Sequence, residues 1–160
     1  MPVGHGWDVH RLVPGRRFVL GGLEIEHPCG PLGHSDGDVL LHAVIDALLG
    51  AAGLGDIGGR FPDSDPRWKD ASSDVLLADV MKDVGASWRV VNLDVTVIAE
   101  RPRLAPHREA IRARLAARLG TSAVNVKAKT AEGLGPVGAG DAIECHAVVQ
   151  LEARGQRPQA

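Results

Sequence analysis

The sequence predicts an α+β fold. It is expected to be a small mixed sheet, mostly antiparallel, with helices packed on one face, forming a single-domain subunit. Two observations carry this. The predicted elements run strand, hairpin, helix, helix, strand, helix, strand, strand, without the strict alternation of a parallel α/β sheet. The 160 residues contain no internal repeat and no linker, the size of one core.

Val3 to Leu12 alternates as a strand. Val3, His5, Trp7 and Val9 lie on one side, and Gly4, Gly6, Asp8 and His10 on the other. Arg17–Glu26 reads as a hairpin turning at Gly21-Gly22. Residues 28–37 read as loop. A helix begins near Asp36 or Asp38 and runs to about Ala52, with Leu41, Val44, Ile45, Leu48 and Leu49 as its apolar stripe. Gly58–Lys69 reads as loop. Ser72–Val84 reads as a helix capped by Ser72 or Ser73 and stopped by Gly85. Trp88–Ala99 is a strand. Pro106–Leu119 is a basic amphipathic helix ended by Gly120, whose arginines suit a solvated or subunit-facing surface. Val124–Lys129 and Ile143–Leu151 are strands joined by a glycine-rich loop. Residues 1–152 form the domain, and 153–160 read as a flexible tail.

Composition narrows the function. Eighteen Lys and Arg against twenty Asp and Glu give a net charge of −2, which argues against a nucleic-acid binder. No apolar run approaches a membrane span, and the N-terminus lacks the regions of a signal peptide. Two cysteines are too few for a disulfide scaffold and suit a cytoplasmic protein. There is no Tyr, with two Phe and three Trp, so the core must be aliphatic. Much of the glycine falls in loops, where backbone can approach a phosphate or sugar.

Three segments carry chemistry. Asp8 and His10 leave one strand face, and His42 stands on the following helix between Asp38 and Asp46 at four-residue spacing. Either carboxylate is placed to orient the His42 ring. One carboxylate and two imidazoles suit zinc with an open position, and equally a non-haem iron(II) triad. A structural pair on the strand and a satisfied core histidine are the plainer alternatives. His34-Ser35-Asp36-Gly37 precedes a helix and fits an anion, or simply caps that helix. Asp56 to Asp65 offers carboxylates and free backbone to sugar hydroxyls, or is an ordinary turn. Lys127, Lys129, Thr130 and Glu132 could form a phosphate cradle with Mg²⁺, or be an edge strand with solvated lysines.

Taken together these segments resemble the 2-C-methyl-D-erythritol 2,4-cyclodiphosphate synthase family of the non-mevalonate isoprenoid pathway. The residues that carry the resemblance are Gly4-His5-Gly6-Trp7-Asp8-Val9-His10, His34-Ser35-Asp36-Gly37-Asp38 through His42-Ala43, Asp46 to Ala51, Asp56-Ile57-Gly58, Phe61 to Asp65, Val126 to Thr130 and Glu132 to Gly135. The resemblance implies cyclisation of 4-diphosphocytidyl-2-C-methyl-D-erythritol 2-phosphate with release of CMP. It implies zinc on Asp8, His10 and His42, and Mg²⁺ or Mn²⁺ on Glu132. His34 would sit beside the diphosphate, and Thr130 would stabilise the transition state. Asp56, Ile57, Gly58 and Asp63 would lie near the methylerythritol part, and Ser35, Phe61 and Asp65 would also bind substrate. Ala99, Arg103, Leu104, Ala105, Ala128, Lys129 and Ala131 would bind cytidine. It also implies a homotrimer with active sites between subunits, in the cytoplasm, and no nucleic-acid or membrane partner. The family commonly has Phe and Arg after its Thr-x-Glu segment, where this chain has Pro136 and Ala139. The rivals are another metal enzyme on the same ligands and a nucleotide-binding module without catalysis.

Overall fold

Five strands pair in the order β4-β1-β7-β5-β6. The structure, a computed structural model, describes residues 1–155. The strands are β1 (Val3–Pro14), β4 (Cys29–Pro31), β5 (Trp88–Ile98), β6 (Val124–Lys129) and β7 (Ala142–Ala153). Every pairing is antiparallel except β5 with β6, which are joined through a helix as parallel neighbours require. A separate hairpin pairs β2 (Phe18–Leu20) with β3 (Leu23–Ile25). It turns at Gly21 and Gly22, both at positive φ, as the sequence predicts.

The helices are α1 (Val39–Ala52), α2 (Ile57–Arg60), α3 (Ser73–Ser87), α4 (Arg108–Leu119) and α5 (Gly135–Gly138). Helix α1 is buried nearly all round: ten of its fourteen residues are enclosed. Such a helix is central, with the sheet on one side and α3 on another. It lies across β1 and β7. The core is aliphatic, as the composition requires; Phe18 and Phe61 are its two buried aromatic rings.

Gly4 and Gly6 explain how closely α1 approaches β1. A Cβ on Gly4 would overlap the Ala47 carbonyl oxygen, and one on Gly6 that of Ala43. Both overlaps are with helix backbone, which cannot swing aside like a side-chain tip. These glycines therefore serve strand–helix packing rather than ligand approach. The loop argument from the sequence did not find them.

Several element boundaries differ from expectation. Residues 29–31 form an edge strand rather than loop, pairing Leu12, Val13 and Pro14. The segment 58–69 contains α2 and a 3₁₀ turn at Pro66–Trp68, capped by Asp56 and Asp65. Helix α3 runs through Gly85 to Ser87, because Gly85 keeps an ordinary φ and ends nothing. The glycine-rich loop contains the short α5. Ala153 belongs to β7 and pairs with Trp88, so it is not tail. Residues 156–160 of the expected tail lie outside the described residues.

Candidate metal centre

Asp8 and His10 point from β1 toward α1, on the side that Gly4 and Gly6 open. Their burial alternates with the exposed Val3, His5, Trp7 and Val9. His42, on the first turn of α1, meets them. Asp8 Oδ2 lies 2.8 Å from His10 Nε2 and 2.9 Å from His42 Nδ1, and the two ring nitrogens are 3.1 Å apart. In a tetrahedral zinc shell with bonds of about 2.0–2.1 Å, ligand atoms stand roughly 3.3 Å apart, so the three atoms are already near that spacing. Among the described residues this is the one such cluster.

Both imidazoles of this group are oriented from outside. The His10 Nδ1–H donates to the Leu32 carbonyl at 2.6 Å, which leaves Nε2 for the centre. His42 Nε2 faces the hydroxyls of Ser35 and Ser73, each at 3.0 Å. This corrects the expectation that Asp38 or Asp46 orients His42. Asp38 is fully buried and occupied elsewhere: it caps α1 through Leu41 N–H and accepts from Gly21 and Gly22 N–H at 3.0 and 2.7 Å. Asp46 accepts from Ile57 N–H at 2.8 Å and so holds α2 against α1.

Burial works to raise the Asp8 carboxyl, but the adjacent His10 and His42 rings outweigh it and hold Asp8 well below the usual range. Burial likewise works against a charged His10, yet Asp8 raises it above the ordinary histidine value. Burial pushes Asp46 up, helped by the charges of Asp56 and Asp8 and opposed by Ile57 N–H.

A cavity of about 250 Å³ opens over the three ligands. Gly33, His34 and Ser35 wall one side. Asp46, Ile57, Gly58, Phe61 and Asp63 line another, with Trp68 and Leu76. Phe61 and Trp68 meet edge to face at 4.9 Å and make an apolar wall. His34 Nε2 and Trp68 Nε1 are enclosed without a hydrogen-bond partner. The sequence reading overlooked Gly33, Trp68 and Leu76, and it treated Ser73 only as a possible cap.

The remaining predicted residues fall elsewhere. Asp56 caps α2 through Gly59 N–H, and Asp65 pairs with Arg67, so neither side chain lines the cavity. No residue of 99–105 or 128–132 lines it either. Across the sheet, Val9 pairs with Glu144, Glu144 with Ile98, and Ile98 with Lys129. Lys129 thus stands level with the ligand strand but three strands away, about 14 Å. Thr130 donates to Glu132 at 2.7 Å. Glu132 has φ of 52°, a left-handed backbone that favours glycine. Glu100, which no motif reading identified, accepts from Ala131 N–H at 3.0 Å and braces this loop. Lys127 is paired with Asp94 at 2.5 Å rather than free.

The YgbB family profile matches residues 1–152. A 2-C-methyl-D-erythritol 2,4-cyclodiphosphate synthase from Gloeobacter violaceus is 58% identical over 155 residues, covering 95% of each chain. A solved 2C-methyl-D-erythritol-2,4-cyclodiphosphate synthase in its CDP-bound form is 42% identical, with a TM-score of 0.86, over 94% of this chain and 99% of that one. The bifunctional IspDF from Campylobacter jejuni superposes with a TM-score of 0.90 at 38% identity. The match covers 95% of this chain but 42% of that longer one.

Proposed function

The chain belongs to the YgbB family, and from that premise we propose that it converts 4-diphosphocytidyl-2-C-methyl-D-erythritol 2-phosphate to 2-C-methyl-D-erythritol 2,4-cyclodiphosphate and CMP. The observation that carries this reading is the Asp8–His10–His42 group beneath a cavity walled by His34, Ser35, Asp63, Phe61 and Trp68. It is a lyase-type cyclisation in the non-mevalonate isoprenoid pathway. A bond forms between an oxygen of the 2-phosphate and the β-phosphorus. The bond from the β-phosphorus to the bridging oxygen breaks, and that oxygen leaves with its electron pair on CMP.

The nucleophile belongs to the substrate, so the protein's task is placement and charge neutralisation. Asp8, His10 and His42 would hold zinc, and Glu132 would hold Mg²⁺ or Mn²⁺. When bound, such ions polarise phosphate oxygens and offset the charge that grows on them. His34, which lines the cavity, would hydrogen-bond the diphosphate in this reading. Ser35, Gly58 and Asp63 border the space for the polyol. Phe61, Trp68 and Leu76 present carbon to its methyl side and exclude water. Thr130 would donate to an oxygen of the transferring phosphoryl group and so stabilise the transition state in this reading.

A cavity of about 250 Å³ is too small for a whole cytidine-linked substrate. The loops 99–105 and 128–132, at the far edge of the sheet, would supply the cytidine half from a neighbouring copy. A homotrimer with sites between subunits satisfies this, and its uncovered sheet faces would meet at the centre. The two free cysteines suit the reducing cytoplasm. No helix of the described residues is long and apolar enough to cross a membrane.

The test is release of CMP from the cytidyl substrate with Mg²⁺ present. CMP and the cyclic diphosphate should appear together, and a chelator should stop both. Absence of both products from the metal-loaded protein refutes the reading.

A further inference from the structure

We propose that Ser73 is a positioning residue for the metal centre, aligning His42 through a hydrogen-bonded chain that begins at Asp36. The inference rests on the reading of Asp8, His10 and His42 as metal ligands. Ser73 opens α3 and is fully buried. Its hydroxyl lies 2.5 Å from Asp36 Oδ1 and 3.0 Å from His42 Nε2. A carboxylate only accepts, so the hydroxyl hydrogen goes to Asp36. What Ser73 offers His42 is therefore a lone pair, and it accepts from His42 Nε2–H. Ser35 Oγ reaches the same nitrogen at 3.0 Å and itself accepts from Gly37 N–H. With the ring proton on Nε2, His42 Nδ1 is left bare and faces Asp8 and His10.

Asp36 is fixed in turn. Its Oδ2 accepts from Ser73 N–H at 3.0 Å and its Oδ1 from Asp38 N–H at 3.2 Å, while its own N–H donates to the Ala71 carbonyl. The chain Asp36–Ser73–His42 thus ties the starts of α1 and α3 to one imidazole. Helix formation does not explain the Ser73 hydroxyl, because Ser72 makes the capping bond, to Asp74 N–H. A buried hydroxyl at this position acts on the ring, not on the helix end.

The experiment uses the full chain with Ser73→Ala and Ser73→Thr. Zinc affinity is read by competition with a chromophoric chelator, and ligand geometry by the absorption spectrum of the cobalt(II)-loaded protein. Ser73→Ala should bind zinc about 10- to 100-fold more weakly and alter the cobalt spectrum. Ser73→Thr, which keeps the hydroxyl, should stay within about threefold and keep the spectrum. A Ser73→Ala chain with affinity within about twofold and an unchanged spectrum overturns the proposal alone. An unsubstituted chain that takes up neither ion overturns the metal reading and this proposal with it. If Ser73→Ala fails to fold, nitrogen NMR of the imidazoles in the unsubstituted protein before zinc is added decides. His42 should carry its proton on Nε2, and a proton on Nδ1 overturns the proposal.

Discussion

Asp8 and His10 are shifted in opposite directions, the carboxyl down and the imidazole up. His10 lies above the ordinary histidine value, so without metal the Asp8–His10 pair adds stability below that value and loses it as pH rises through the raised one. Asp8 lies low, so its contribution survives until strong acid. Metal reverses the preference, because a ligating imidazole must be neutral. Zinc should therefore raise the melting temperature more at roughly pH 8 than at roughly pH 6. Equal increments in a thermal scan would contradict this. The Asp8–His10–His42 group was legible in the sequence because strand alternation puts Asp8 and His10 on one face and the four-residue spacing of Asp38 and Asp46 marked His42 on its helix. The ring's outer partners were not. Ser35, Asp36 and Ser73 meet only after two helix starts converge, and no local period encodes that meeting. The spacing of Asp38 and Asp46 around His42 suggested a simpler answer, and backbone N–H groups claim both carboxylates instead.

Strand β1 and helix α1 are in contact through Gly4 and Gly6, without side chains between them. Gly6→Ala forces a methyl group against the helix backbone, next to the residue before which His42 stands. It should destabilise the protein by about 3 kcal/mol or more and weaken zinc binding in the same variant. Chemical denaturation and zinc titration measure the two effects; a loss below about 1 kcal/mol would refute the packing account. Cys145, fully buried on β7, has its thiol pushed well above the usual range by burial and by nearby carboxylates. Alkylating reagent at neutral pH should modify it only after unfolding, a difference that mass spectrometry reads directly. Most elements were legible because their apolar periods are long. The short ones, β4, α2 and α5, were not, since three or four residues carry no period. Gly85 was misjudged because the propensity of one residue is weaker than the packing of a long helix.

The sheet has two different faces. One is covered by helices; the other exposes Val3, Trp7, Val9 and Val148, with His5, Glu144 and His146 among them. Trp7 donates to Glu144 at 2.7 Å, and the rings of His5 and His146 stack at 5.5 Å. An apolar sheet face of this kind is a usual place for subunits to meet. The proposed homotrimer predicts that sedimentation equilibrium returns about three times the chain mass, and a monomeric, fully active protein would refute the trimer. The sequence carried the mixed sheet and its one-sided helices in its order of elements. The homotrimer was an expectation of the family resemblance alone, because exposure of a strand face depends on what the rest of the chain covers.

The three-strand separation of Asp8 from Lys129 has a genetic consequence. If each site takes its metal from one copy and its Glu132 loop from the next, two defects in different copies need not coincide. Asp8→Asn and Glu132→Gln should each be inactive alone. Co-expressed in equal amounts, they should regain about one quarter of the unsubstituted activity, since one interface in four then joins an intact half to an intact half.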